Sequence, residues 1–190
     1  AGESPIECWD CTSIVIRGNE VYGHHTYSGA GAIFLWDCSD MIIESNYLHD
    51  NGAARGSAGL DIFGSEDTII NNRICDGYVD GLYAWSSNIV IERNEISGHN
   101  GGAMGGAGIF ISGGAAEIRN NHIYDNFSGC GAGGIAIIDC DFVLQDNLII
   151  NNHCGMAGGG IGASGSGDIS HNIILGNSMS GLHGGGVMCF

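Results

Sequence analysis

The stretch Asn147-Leu148-Ile149-Ile150-Asn151-Asn152, with Gly158-Gly159-Gly160-Ile161 behind it, decides the fold. The pattern Asn-x-Ile-x-x-Asn returns, with Leu for Ile in one copy, as Asn46-Tyr-Leu-His-Asp-Asn51, Asn121-His-Ile-Tyr-Asp-Asn126 and Asn172-Ile-Ile-Leu-Gly-Asn177. Looser copies begin at Asn19, Asn72 and Asn94. The leading Asn therefore falls at 19, 46, 72, 94, 121, 147 and 172, in steps of 27, 26, 22, 27, 26 and 25 residues. Self-similarity at such a period marks a solenoid, in which each unit stacks on its neighbours.

A second ladder runs in phase with the first. An apolar residue opens a strand at Ile6, Ile33, Leu60, Leu82, Ile109, Ile135, Ile161 and Val187. From Ile33 on it follows a Gly/Ala-rich turn, as in Gly105-Gly106-Ala107-Gly108 and Gly131-Ala132-Gly133-Gly134. Core positions precede each Asn by three residues (Ile16, Ile43, Ile69, Ile91, Ile118, Leu144, Ile169). Others follow it by two (Val21, Leu48, Ile74, Ile96, Ile123, Ile149, Ile174). Apolar and polar residues alternate at period two, which is strand patterning. The expected fold is all-β: one parallel β-helix domain over 1–190, of seven to eight rungs of 22–27 residues with three strands each. Inward Asn side chains should form a hydrogen-bonded ladder from rung to rung.

The GGGI openings and Asn-x-Ile-x-x-Asn copies resemble the right-handed parallel β-helix repeat superfamily, from Ile6 to Val187. They look most like repeat regions of bacterial and archaeal surface proteins, including adhesin-like and polymorphic outer-membrane families. The superfamily also holds pectate-lyase-like enzymes, polysaccharide epimerases and phage tailspikes. The resemblance is specific for fold and nearly silent on activity.

Composition narrows the classes of function. Gly makes up 35 of 190 residues, at a period, and Pro occurs once. Five basic against 21 acidic residues give a formal charge of −16, which argues against nucleic acid and anionic membranes as partners. No apolar run approaches the ~20 residues of a membrane span, so no membrane insertion is expected. The start Ala1-Gly2-Glu3 reads as a processed chain or a fragment. Eight Cys in an acidic chain point to an oxidising, extracellular or cell-surface setting.

Counting from each strand opener, residues one and three later should face outward. Stacking then assembles Trp9, Phe34, Trp36, Phe63, Tyr83, Trp85 and Phe110 into an exposed aromatic strip, a contact surface for protein or glycan. Asp10 and Asp37 share the next position on adjacent rungs and are weak candidates for Ca²⁺ or for an acid–base pair; no other cofactor is expected. Asp139 repeats that position farther along. Lyase-like enzymes of this superfamily add a catalytic Arg or Lys. Here there is no Lys, and the bases are Arg17, Arg55, Arg73, Arg93 and Arg119, so catalysis is not the favoured reading. Eight His, among them His24, His99 and His183, lack metal-motif spacing, and His24 and His99 occupy or adjoin the column of the second Asn and read as turn residues. The sequon Asn126-Phe127-Ser128 places its Asn in the structural ladder.

Cys11 and Cys38 share a register on adjacent rungs, and Cys130 and Cys154 lie in equivalent loops, so both pairs are disulfide candidates. At the ends, Val187, Cys189 and Phe190 repeat the pattern of Ile6, Cys8 and Trp9. One subunit's tail then fits the next subunit's first rung, with Cys8 and Cys189 meeting across the junction. The leading expectation is a secreted or surface structural solenoid that self-associates head-to-tail into a fibre or surface layer. The rival is a carbohydrate-binding or polysaccharide-degrading β-helix using the aromatic strip. An ice- or mineral-binding face ranks last, because no regular Thr ladder is present.

Overall fold

A computed structural model describes residues 4–27, 29–54, 56–101, 106–181 and 184–190. Arg55, Gly105, His183 and the first three residues lie outside the described residues. Every strand pairing is parallel, and every strand joins the equivalent strand of the adjacent rung. The first sheet stacks Ile6–Trp9, Ile33–Trp36, Leu60–Phe63, Leu82–Glu92, Ile109–Arg119, Ile135–Gln145, Ile161–Ser170 and Val187–Cys189 in chain order. Each strand opener is in register with the next, as in Ile6 with Ile33 and Ile161 with Val187. The expected parallel β-helix is present.

The rung is more finely divided than its repeat suggests. After the second Asn, a fourth strand of two residues forms at His25–Thr26, Gly52–Ala53, Asn100–Gly101, Phe127–Ser128, His153–Cys154 and Ser178–Met179. Two residues carry no period, so alternation cannot reveal them. Conversely, the expected break between first and second strands disappears from Leu82 onward, where one strand of ten or eleven residues runs through the bend.

The bend explains a recurrent residue choice. Asp10, Asp37, Gly64, Ser86, Gly113 and Asp139 occupy it on successive rungs, all with φ between 49° and 69°. Left-handed backbone admits Gly freely and Asp or Ser at modest cost, so these types interchange here for conformational reasons. The first two rungs each add one more left-handed residue, Ser13 (φ 59°) and Asp40 (φ 54°), and at Asp40 the strand bulges against its neighbour between Glu66 and Asp67. The bulge frees the N–H of Met41, which donates to Asp67 Oδ1 at 3.2 Å.

Ile33, Leu35, Ile43, Leu60, Ile62, Ile69, Leu82, Ile91 and Ile109 are fully buried in one continuous interior. Two Asn ladders line its corners. In the first, Asn46, Asn72, Asn94, Asn121 and Asn147 each accept the backbone N–H and side-chain amide of the preceding Asn. Each also donates to a carbonyl of the preceding rung, as Asn121 does to Ile91 at 2.9 Å. The second ladder runs through Asn51, Asn126, Asn152 and Asn177. Asn126 is 1% exposed and bonded at both ends of its amide, as the ladder reading of the sequon requires.

Candidate functional site

The outward face of the first sheet carries the aromatic residues, and its register is as read from the sequence. Trp9 pairs with Trp36, Trp36 with Phe63, Phe63 with Trp85 and Trp85 with Ser112. The three Trp side chains are exposed, at 53%, 40% and 48%. Trp9 stacks on Trp36 with centroids 5.7 Å apart, and Trp36 on Phe63 at 5.4 Å. The ring series then crosses to the neighbouring column through Phe63–Tyr83 (5.7 Å) and ends at Tyr83–Phe110 (5.0 Å, interplanar 9°). Such offset stacks add to the burial energy of each ring.

One half of the strip is not exposed. Phe34 and Phe110 are buried, Tyr83 and Phe63 half-buried, and Asp61, in the same outward column, is 1% exposed. The Gly-rich loops fold back over this column and form a small second core of Phe110, Ala132 and Ala136 outside the coil, with Tyr83 and Ile138 against it. Gly56 shows how closely the loop approaches: with φ +100°, a Cβ on it would sit 2.1 Å from Asp61 Oδ2. Alternation tells which way a side chain points, and the packing of the aperiodic loops decides whether solvent reaches it. The exposed ridge is therefore Trp9, Trp36 and Trp85, with Phe63 between them.

Across the bend on the same strands lies a shallow groove of about 820 Å³. Asp40, Glu66, Asn88, Ala115, Asp141 and Ser166 line one column of it and Ile42, Thr68, Val90, Glu117 and Val143 the other. No Arg or Lys is among its lining residues. Asp67 lies at its floor in the inward-facing column of Met41 and Ile89. Burial pushes its carboxyl up to about 6, and its Oδ2 has no hydrogen-bond partner.

Asp10 and Asp37 stack as rung neighbours, both exposed, and Asp37 Oδ1 reaches over Gly64. Their shared left-handed bend accounts for both carboxylates, and among the described residues no three His, Cys, Asp or Glu side chains form a metal-holding group. The outward column of Arg17, Glu44, Ile70, Glu92 and Arg119 is charge-paired, with Arg17–Glu44 at 3.0 Å and Arg119–Glu92 at 3.3 Å.

Eight free cysteines are present. Cys11 and Cys38 are rung neighbours, since Trp9 aligns with Trp36 and Thr12 with Ser39 on either side of them. Cys8 adjoins both, and burial with these neighbouring thiols pushes its pKa up to about 11. The other candidate pair is out of step. Cys154 aligns with Ser128, and Cys130 lies two residues farther along. Cys154 Sγ accepts the N–H of Ala157 at 3.0 Å, as Ser128 Oγ accepts that of Gly131 at 3.0 Å, so Cys154 is a buried loop cap. Cys189 is exposed beside Phe190, while Cys8 is buried at the opposite end of the column.

Two further histidines are held by specific partners: His99 in the second-Asn column, where its spacing from Asn94 places it, and His49 at a position that spacing did not reveal. His99 is fully buried, with Nδ1 3.2 Å from Val79 O and Nε2 3.1 Å from Ile74 O. Burial pushes its pKa down to about 4. His49 lies between the rings of Tyr22 and Tyr47 at 5.1 and 4.1 Å, bonded to Asp50 at 2.7 Å and Glu20 at 3.2 Å. Those carboxylates, Asp50 foremost, raise its pKa.

A stacked parallel coil with Asn ladders and an outward aromatic ridge defines a β-solenoid. Residues 4–131, more than half of the chain, match the family described as right handed beta helix region, and the chain belongs to it. No curated protein and no solved structure matches.

Proposed function

We propose that this chain is a structural β-solenoid of the cell exterior that self-associates into a fibre or surface layer. The observation that carries this reading is the ridge of Trp9, Trp36 and Trp85, half-exposed indoles held rigidly on one sheet face. Exposed apolar patches of that kind cost solubility and are kept where another surface covers them. The last strand supports association along the axis. Val187 and Cys189 continue the columns of Ile161 and Ala163, and Phe190 is 65% exposed. A second copy's Ile6, Cys8 and Trp9 present the complementary edge, and such a heterologous contact propagates. Replacing Trp36 and Trp85 by Ser should leave the coil folded and abolish self-association in sedimentation velocity. A wild-type chain that stays monomeric at high concentration by the same measurement rejects the reading.

A second reading is supported by the groove. Trp85 and Asn88 flank the bend on one strand, and Asn88 lines the groove with Asp40, Glu66 and Asp141, whose oxygens accept hydroxyl hydrogen bonds. These features support reading the chain as a carbohydrate-binding or polysaccharide-degrading β-helix. Retardation of the wild-type chain, and not of the double Ser variant, in polysaccharide-containing gels would favour it over self-association.

A further inference from the structure

The aromatic series stops at Phe110, and a cavity begins there. Phe110 is in register with Ala136, Ala136 with Gly162 and Gly162 with Met188. Two successive rungs thus carry a methyl group or a hydrogen where the preceding two carry Tyr83 and Phe110. Phe190 lies beyond this gap. At ~4.8 Å per rung, the ring-free stretch is about 10 Å along the axis. Cys130-Gly131-Ala132, Ala157 and Ile138 line it, and this half-open pocket has a volume of about 200 Å³. Apart from the thiol of Cys130 and main-chain atoms, its walls are hydrocarbon.

The geometry points to a binding slot for a small planar aromatic molecule, which takes the ring position missing between Phe110 and Phe190. Three features fit this ligand class. The volume suits one ring system, given that an apolar cavity of ~150 Å³ admits benzene. The Phe110 ring is already held parallel to Tyr83, at 9°, and lines the slot as the last ring of the stacked series. The glycine side of the slot cannot collapse cheaply. A Cβ on Gly162 would lie 3.3 Å from that of Ala132, so backbone and loop already touch there while the space beside them remains open. The slot is on the loop-covered end of the strip, away from the exposed Trp ridge, and shares its Phe190 wall with the proposed axial contact.

Cys130 is exposed at the rim of the slot and reports on occupancy. The experiment measures alkylation of Cys130 by iodoacetamide, resolved by peptide mass spectrometry, with an added free thiol in the same tube as reference. Indole is the probe and cyclohexanol the non-aromatic control. Saturating indole should slow Cys130 at least about threefold relative to the reference, with cyclohexanol leaving it unchanged. Ala136→Leu fills the slot and should abolish the protection. Phe190→Ala removes one wall at an exposed position, tolerable to the fold, and should weaken it. An unchanged rate with indole, equal slowing by cyclohexanol, or full protection in folded Ala136→Leu overturns the proposal.

Discussion

His99 Nε2 lies 3.1 Å from the carbonyl oxygen of Ile74, the contact that the side-chain amide of Asn126 makes to Ile96 one rung later. His99 therefore stands in the second Asn ladder, and its own N–H donates to Asn126 Oδ1 at 3.1 Å. The substitution goes with the short 22-residue step between Asn72 and Asn94. In that rung the ladder position is Gly77, and the imidazole fills the vacated space. A Cβ on Gly77 would meet Nδ1 at 2.6 Å, and one on Gly81 would meet Nε2 at 2.9 Å. One shortened rung is thus accommodated by one larger ladder residue.

Stability on the acid side should follow from this burial. The folded pKa of His99 is about 4 and the ordinary value 6.5, so the unfolded chain binds the proton first. Stability is unaffected by this group above pH 6.5 and falls as pH drops from 6.5 towards 4, by about 3 kcal/mol in all. Asp61, raised by burial to about 7, acts in the opposite sense over an overlapping range, costing stability as pH rises from 3.8 through 7. The difference between wild type and His99→Asn isolates the histidine. Urea midpoints at pH 7.5, 5.5 and 4.5 should show the variant weaker at 7.5, where the smaller side chain leaves a void, and closing the gap as pH falls. A constant gap across the three values refutes the assignment.

The first ladder gives a prediction about mid-column cooperativity. Asn121 Oδ1 accepts the backbone N–H of Asn94 at 2.9 Å and its side-chain amide at 3.1 Å. Its Nδ2 donates to Ile91 O at 2.9 Å and Asn147 Oδ1 at 3.0 Å. Asn121→Ala leaves buried partners unsatisfied on both sides and should cost about 3 kcal/mol in urea unfolding. Asn121→Asp should cost more at neutral pH, because a carboxylate then faces two oxygens. Asn88→Ala, which removes only an exposed bond to Glu66, should shift the midpoint hardly at all.

These contrasts mark what a single sequence can carry. The interior was legible because its signal is local: Ile91, Ile118 and Leu144 recur at fixed distances from Asn94, Asn121 and Asn147, and all are fully buried. The exposed ridge was legible in direction but not in extent. Phe34, Asp61 and Phe110 point outward as alternation requires, and Gly-rich loops that carry no period cover them, Gly56 and Ser57 over Asp61 and Ala132 over Phe110. The acids at the bend were legible as a column, with Asp10, Asp37 and Asp139 in step. Their interchange with Gly64, Ser86 and Gly113 was the clue that backbone conformation selects them. His99 was legible as a member of the second-Asn column, five residues after Asn94 as Asn126 is after Asn121, whereas its fit over the short rung, whose ladder position is Gly77, was not.

The cysteines give the last prediction, in which register separates two pairs that look alike in sequence. Cys11 and Cys38 occupy the same position on adjacent rungs, and stacked Cα atoms at ~4.8 Å lie within the range a disulfide spans. Cys154 lies level with Ser128 and is held by the loop it caps, while Cys130 is exposed two residues away. Cys38 is buried, and burial raises its pKa, so its thiolate is scarce and bond formation should be slow at neutral pH. Incubation with a glutathione redox buffer at pH 8.5, followed by non-reducing peptide mapping, should recover Cys11–Cys38 and no Cys130–Cys154 peptide. The closed loop should raise the unfolding free energy by about 3 kcal/mol, which reduction with dithiothreitol reverses. Cys8 is the competitor to watch, since Cys38 Sγ already lies 3.5 Å from Cys8 O. Recovery of Cys8–Cys38 in place of Cys11–Cys38 would show that the inward column, and not the bend column, brings the thiols together. Recovery of Cys130–Cys154 would require the fourth strand to slip by two residues, which the pairing of Phe127 with His153 opposes.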